Sequence, residues 1–371
     1  MAVTRRILNS MIFLIAIHHF LPISAQNTVY PTHWWTGFKD PQLNLIIRGN
    51  EVGAFTNVTT SSPAILVKSV RKATSKNYLL IDLMISQQAK PGFFSIKLSS
   101  PGGKSETIQY ELKKRDAENG NTRIRGVNAS DFIYLVMTDR FANGDLSNDI
   151  VKTYRDTTCD RTDKFSRHGG DLKGVEDKLP YLQDLGVSTV WLTPVNENDM
   201  PRMNEWGNKV AGYHGYWFTD HYQVDKRFGG NNAYKQLCQA AHAKGMKIIQ
   251  DAIYNHIGSY HWIAQDPPDA DWLNSSQGKN PPHHREEVFF DPYASEQDKR
   301  QMLDGWFVPH LPDLNQRNRD VARFLIQYAI WATEEYGVDG WRVDTYKYNE
   351  ESFLNEINTC HQSFGKRLFH T

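Results

Sequence analysis

From residue 129 onward the sequence alternates between short apolar runs and longer amphipathic ones. FIYLVM (132–137), STVWLTPV (188–195), MKIIQDAIYNH (246–256) and GWRVD (340–344) read as buried strands. Between them, LKGVEDKLPYLQDLG (172–186), NNAYKQLCQAAHAKG (231–245) and RDVARFLIQYAIWATEEYG (319–337) read as helices, each stopped by a glycine. The last has apolar residues at 321, 324, 325, 328, 329 and 332. The order β, α, β, α, β, α, β predicts a parallel sheet covered by helices. Segments after the strands are long (138–171, 196–230, 257–318), whereas those after the helices are very short. In a parallel α/β barrel the loops after the strands form the functional face, so this asymmetry fits a barrel. An open doubly wound sheet is the rival, but no glycine-rich phosphate fingerprint follows any strand.

Upstream the rhythm differs. AILVKSV (64–70), LLIDLMI (79–85), FSIKL (94–98) and IQYEL (108–112) read as strands, separated by the turn clusters SSP, KPG and SPGG. Residues 26–114 are expected to form a small Ig-like β-sandwich, joined through a polar linker at 115–128 to the barrel segment, 129–371. Residues 1–25 have the layout of a secretory signal peptide, with Arg5 and Arg6, an apolar run and Ile23-Ser24-Ala25 before Gln26. Export is therefore expected, with no membrane span left after cleavage.

Lys+Arg and Asp+Glu both number 42, so the formal net charge is zero. That balance argues against an electrostatic grip on nucleic acid. Ten Trp and 17 Tyr suit stacking on flat, weakly charged ligands such as sugars. The three cysteines are scattered and give neither a disulfide framework nor a zinc spacing.

Chemistry concentrates at two strand ends. Residues two apart on a strand share a face, so Arg342 and Asp344 point one way and Trp341 and Val343 the other. A charged pair on a buried strand is costly unless paired or used. A structural ion pair and a functional one both fit. Asp251 closes the preceding strand in the same manner, with Asn255 and His256 beginning its loop. In a barrel the two carboxylates would reach one mouth.

At these residues the sequence resembles a known family. DAIYNH (251–256) and GWRVD (340–344) look like two hallmark motifs of the alpha-amylase superfamily, glycoside hydrolase family thirteen. HGGDLKGVEDKLPYLQDLGVSTVWLTPV (168–195), HGYWFTDHYQVDKRFGG (214–230) and LPDLN (311–315) resemble further motifs of that family, in order. PTHWWTGFKDPQLNLIIRGNEVG (31–53) is similar to the N-terminal domain of neopullulanase and cyclomaltodextrinase-like members.

The resemblance implies a hydrolase acting on alpha-1,4-linked glucans (starch, maltooligosaccharides, cyclodextrin or pullulan) by a retaining mechanism. Asp344 would be the nucleophile and Arg342 would keep it ionised and oriented. Tyr216 would stack under a sugar ring, His214 and His256 would bind its hydroxyls, Asp251 would order the site, and Lys347 would meet sugar beyond the cleavage point. In many members Lys-His stands where this sequence has Lys347-Tyr348. MTDRFANGDLSND (137–149) is rich in oxygen ligands, which suits calcium and equally suits a plain turn. The resemblance implies calcium held by Asn143, Asp145, Asn148, Asp149, the Gly169 backbone and Asp171. It also implies a possible homodimer through the N-terminal domain, and a bacterial periplasmic or secreted setting.

Only four barrel strands are legible. The expected architecture is multi-domain: the sandwich, then an incomplete α/β (TIM-type) barrel with a long loop insertion after the third strand, about 257–318. Four strands cannot close an eight-stranded barrel. The family's acid/base Glu would follow a next strand, so this chain is expected to be an N-terminal portion. Glu350, Glu351 and Glu356 sit in a helical stretch rather than at a strand end. The alternative is a non-catalytic maltooligosaccharide-binding protein or a decayed remnant.

Overall fold

A computed structural model describes residues 27–274 and 286–362. The leader-like segment 1–25 and the last residues of the chain lie outside the described residues.

The N-terminal unit is two four-stranded sheets packed face to face. One holds Thr28–Tyr30, Gln42–Arg48, Tyr78–Ile85 and Ile65–Lys72, in that spatial order. The other holds Trp34–Trp35, Ser105–Lys113, Gly92–Ser99 and Asn57–Thr60. Alternate residues supply the core, as the period-2 pattern requires: Leu43, Leu45 and Ile47 from one sheet, Phe94, Ile96 and Leu98 from the other.

The second unit is built on four parallel strands: Ile133–Val136, Thr189–Leu192, Lys247–Ala252 and Gly340–Val343. They lie side by side in chain order, and among the described residues the sheet does not close. Val136, Val190, Leu192, Ile248 and Trp341 face the helices and are buried. On the opposite face of the first strand, Ile133 is 42% and Leu135 49% exposed, which leaves that flank of the sheet open. Long helices Gly230–Ala243 and Arg319–Tyr336 cover the sheet, and Gly337 at φ 83° ends the second.

One expectation needs correcting. The stretch 172–186 is not one helix but two, Leu172–Asp177 and Leu179–Asp184. Pro180 has no N–H to continue the ladder, and the chain turns at Lys178. The helical stretch that holds Glu351 and Glu356 is the helix Glu351–Gln362.

The helix Arg319–Tyr336 is buried on more than its predicted stripe. Ala322, Ile326, Gln327, Trp331 and Glu334 are buried as well, because the sandwich packs against it. Gln327 accepts from Asn44 N at 2.7 Å and donates to Asn44 O at 2.7 Å, as a neighbouring strand would. Tyr30 stacks on Trp262 at 4.8 Å and 11°, so one apolar core runs through both units. The polar segment after Lys113 is pinned rather than free. Arg115 Nε and Asn119 Nδ2 donate to Glu334 at 2.6 and 2.8 Å, and Arg125 N donates to Asp339 at 2.8 Å.

The long loop after the third strand leaves and returns at one place. His256 bridges to Asp313, which brings its ends together, and Leu273 within the loop bridges to Leu314.

Candidate active site

The strand ends place their carboxylates as the alternation requires. Asp251 lies opposite Arg342 in the register of the third and fourth strands. Arg342 Nη1 stands 2.6 Å from Asp344 Oδ1, and 3.0 and 3.2 Å from the two oxygens of Asp251. One guanidinium nitrogen therefore serves both carboxylates. Asp251 is fully buried at its side chain, whereas Asp344 keeps 15% of its side chain exposed.

Asp251 collects two more donors. Trp191 Nε1 and Tyr216 OH each reach its Oδ2 at 3.1 Å. Burial pushes the Asp251 carboxyl up to about 7, Arg342 pulls it down, and the Asp344 charge pushes it up again. Trp191 also lies beneath the Arg342 guanidinium, 5.0 Å from its ring centre. The sequence reading passed over Trp191. Its signal was available: it occupies the same face of the second strand that Asp251 occupies on the third.

His214 and Tyr216 sit in the loop after the second strand. Their rings stack at 5.6 Å and 27°, and Tyr216 N donates to His214 Nδ1 at 3.1 Å. The His214 proton must then sit on Nε2. Burial, with Arg167 next, holds His214 down to about 3, so the ring is neutral. His256 is buried, its Nδ1 lies 3.2 Å from Asn255 Oδ1, and burial lowers its pKa. Asn255 is itself fixed, with Nδ2 donating to Asp313 at 2.8 Å and to Tyr348 O at 3.2 Å.

Lys347 stands apart from this group and pairs with Glu286 across the loop. Tyr348 turns inward and packs edge-on to Phe307 at 4.9 Å. Asp313, inside the LPDLN segment, and Asn274 were given no role: Asn274 Nδ2 donates to Asp313 at 2.6 Å beneath His256. Of the carboxylates in the last helical stretch, Glu350 accepts from Arg300 and Arg317, and Glu356 from Arg319.

Comparison with known proteins gives these residues a setting. The model of the alpha amylase catalytic domain matches residues 135–364. The chain belongs to the alpha-amylase family. The N-terminal domain model of cyclomaltodextrinase matches residues 28–116, which covers the sandwich. Neopullulanase 2 of Thermoactinomyces vulgaris is 31% identical over 235 residues, 63% of this chain and 37% of that protein. A cyclomaltodextrinase of Thermoanaerobacter pseudethanolicus is 31% identical over 236 residues, 61% of this chain and 36% of that one. An alpha-amylase structure from Anoxybacillus superposes with a TM-score of 0.53 at 33% identity, over 64% of this chain and 46% of that one. The chain spans well under two thirds of the length of these relatives.

Members of the alpha-amylase family often bind calcium. Among the described residues no three Asp, Glu, His or Cys side chains converge as a metal cluster. Carboxamide and carbonyl oxygens would have to complete any calcium shell. The loop supplies them: Asn143 Oδ1 and Asn148 Oδ1 are buried and accept no hydrogen bond. Gly169 closes against the same loop at φ 78°, where a Cβ would meet Asp149 Oδ1 at 2.6 Å and Asn143 Nδ2 at 2.9 Å. The donor set around Asn143, Asn148, Asp149 and the Gly169 backbone fits a hard cation. Asp171 and Asp145 are occupied differently. The Asp171 carboxylate accepts from Gly144 N, Asp145 N, Gly174 N and Asn148 Nδ2. The Asp145 carboxylate accepts from Ser147 N and Oγ at 2.9 and 2.6 Å.

Proposed function

We propose that this chain carries the nucleophile side of a glycosidase site for alpha-1,4-linked glucans, working with retention. The observation that supports it most is the bridging of Asp344 and Asp251 by Arg342 Nη1. The guanidinium fixes Asp344 by one oxygen, and the other oxygen can attack an anomeric carbon. Attack forms a glycosyl ester as the bond to the leaving oxygen breaks, and water later releases the sugar. Tyr216, oriented through Asp251, offers a ring to one sugar face. His214 Nε2–H can donate to a hydroxyl of the same sugar. The second carboxyl that protonates the leaving oxygen is assigned to no described residue; Glu350 and Glu356 are held by arginines.

The neopullulanase and cyclomaltodextrinase names of the relatives favour starch fragments, cyclodextrin or pullulan as substrates. Calcium in the 143–149 loop would brace the first strand's loop against Gly169 and Asp171. Export follows from the layout of residues 1–25; no helix among the described residues is long and apolar enough to cross a membrane.

A fluorinated maltosyl fluoride tests the nucleophile without its acid partner, because fluoride leaves without protonation. Mass spectrometry of digested protein is expected to find a glycosyl ester on the Asp344 peptide, absent in Asp344→Asn. A folded chain that binds maltooligosaccharide but forms no ester would instead support a non-catalytic glucan binder.

A further inference from the structure

Trp206 is the most exposed large apolar side chain among the described residues, at 94%. It sits at the tip of a hairpin made by Met203–Glu205 and Asn208–Val210, in the loop after the second barrel strand. Its φ is 46°, followed by Gly207 at 81°, so the turn places a bulky residue in the left-handed region. Small polar residues usually fill such turn positions, and a bulky one there is an outlier that points to use.

The hairpin is braced at its base. Val210 is buried with Met200, Trp217 and Leu311, and Met203, Phe307 and Tyr216 pack against that cluster. Arg202 Nη2 donates to Asp163 Oδ2 at 2.8 Å. His310, whose Nε2 lies 3.3 Å from Glu205 Oε1 without a hydrogen bond, packs edge-on to Trp217 at 4.8 Å. The feet of the hairpin thus share an apolar cluster with the tyrosine of the candidate site. From Met203 to Trp206 the strand carries the indole about 10 Å beyond that cluster. A single sugar seated at Tyr216 would not reach it, whereas a longer glucan leaving the site on that side would.

We propose that Trp206 is a distal stacking platform for extended α-glucan chains, held at a fixed distance from the Tyr216 site by the braced hairpin. The proposal rests on the glucan reading of that site. An indole with both faces free can lie against the apolar face of a glucose ring and lose water from both surfaces. The ligand class is therefore a linear or cyclic maltooligosaccharide long enough to span both positions, and Trp206 sets a preference for length rather than the chemistry.

The test uses the full chain and calorimetric titration with maltotriose and maltoheptaose, on the wild type, Trp206→Ala, Trp206→Phe and Tyr216→Ala. The wild type is expected to bind maltoheptaose more tightly than maltotriose. Trp206→Ala should weaken maltoheptaose roughly 5- to 10-fold and leave maltotriose unchanged, while Trp206→Phe recovers part of the loss. Tyr216→Ala should weaken both. Unchanged maltoheptaose affinity in Trp206→Ala overturns the platform while leaving the glucan site standing. A wild type that binds neither sugar overturns both. Light scattering on the same samples adds one more outcome: a change of oligomeric mass in Trp206→Ala would make the indole a contact between copies and overturn the platform.

Discussion

Arg342 Nη1 lies 3.0 Å from Asp251 Oδ1, across two neighbouring strands, while the same nitrogen holds Asp344 at 2.6 Å. The two carboxylates depend on one cation, and Asp251 has no exposed side-chain surface. Replacing Arg342 by Met would leave a buried carboxylate with only neutral donors. The expected loss is about 3 kcal/mol of unfolding free energy, read from urea denaturation. Arg342→Met combined with Asp251→Asn should recover much of it, since the uncompensated charge is then gone. A double variant as unstable as Arg342→Met alone would contradict this account.

The raised Asp251 carboxyl has a consequence for pH. Its folded value of about 7 lies above the ordinary carboxylate value, so the folded state holds a proton that the unfolded chain has lost. Its contribution to stability therefore falls as pH rises from about 4 to about 7. Below pH 7 the Arg342 clamp increasingly faces a neutral Asp251. Melting temperatures of wild type and Asp251→Asn across pH 4–8 should diverge with this slope, the wild type losing ground as pH rises. Parallel curves would remove Asp251 as the titrating group.

Gln327 joins helix to sandwich by two hydrogen bonds to the backbone of Asn44. Gln327→Ala leaves a buried N–H and C=O unpaired at an edge the helix now covers. A loss of about 1–3 kcal/mol is expected, with faster amide exchange at Asn44. Exchange at Asn44 equal to the wild type would show that the contact does not hold the units together.

Calcium at the first barrel loop is tested at Gly169. If the cation binds there, adding calcium after chelation should raise the melting temperature of the wild type by several degrees. Gly169→Ala puts a Cβ against Asp149 and Asn143 and forces φ 78° on an alanine, so the calcium response should vanish. A variant that keeps the full response would move the cation elsewhere.

Much of this architecture is legible in the sequence. The four barrel strands and the long helix Arg319–Tyr336 were visible because apolar spacing reports directly on which face meets a core. Arg342, Asp344 and Asp251 were legible because charge at the end of a buried strand has few explanations. Contacts between segments distant in sequence were not. Trp191 became a site residue only when the second strand was laid beside the third. Gln327 and Glu334 looked like the polar side of an amphipathic helix. They are buried because a separate sandwich docks there, and nothing in local periodicity encodes a second partner. The break at Lys178 was readable from Pro180, and the apolar pattern on either side masked it.

The sequence alone determined the β-then-α/β order, the parallel sheet and the strand-end acids, since each follows from the backbone period and the cost of burying charge. The tertiary structure alone decided that one Arg342 nitrogen serves two carboxylates, that Tyr216 and Trp191 converge on Asp251, and that the hairpin carrying Trp206 is anchored to the Tyr216 cluster. These depend on strand register and loop packing, which are set by interactions among residues far apart in the chain and leave no periodic trace along it.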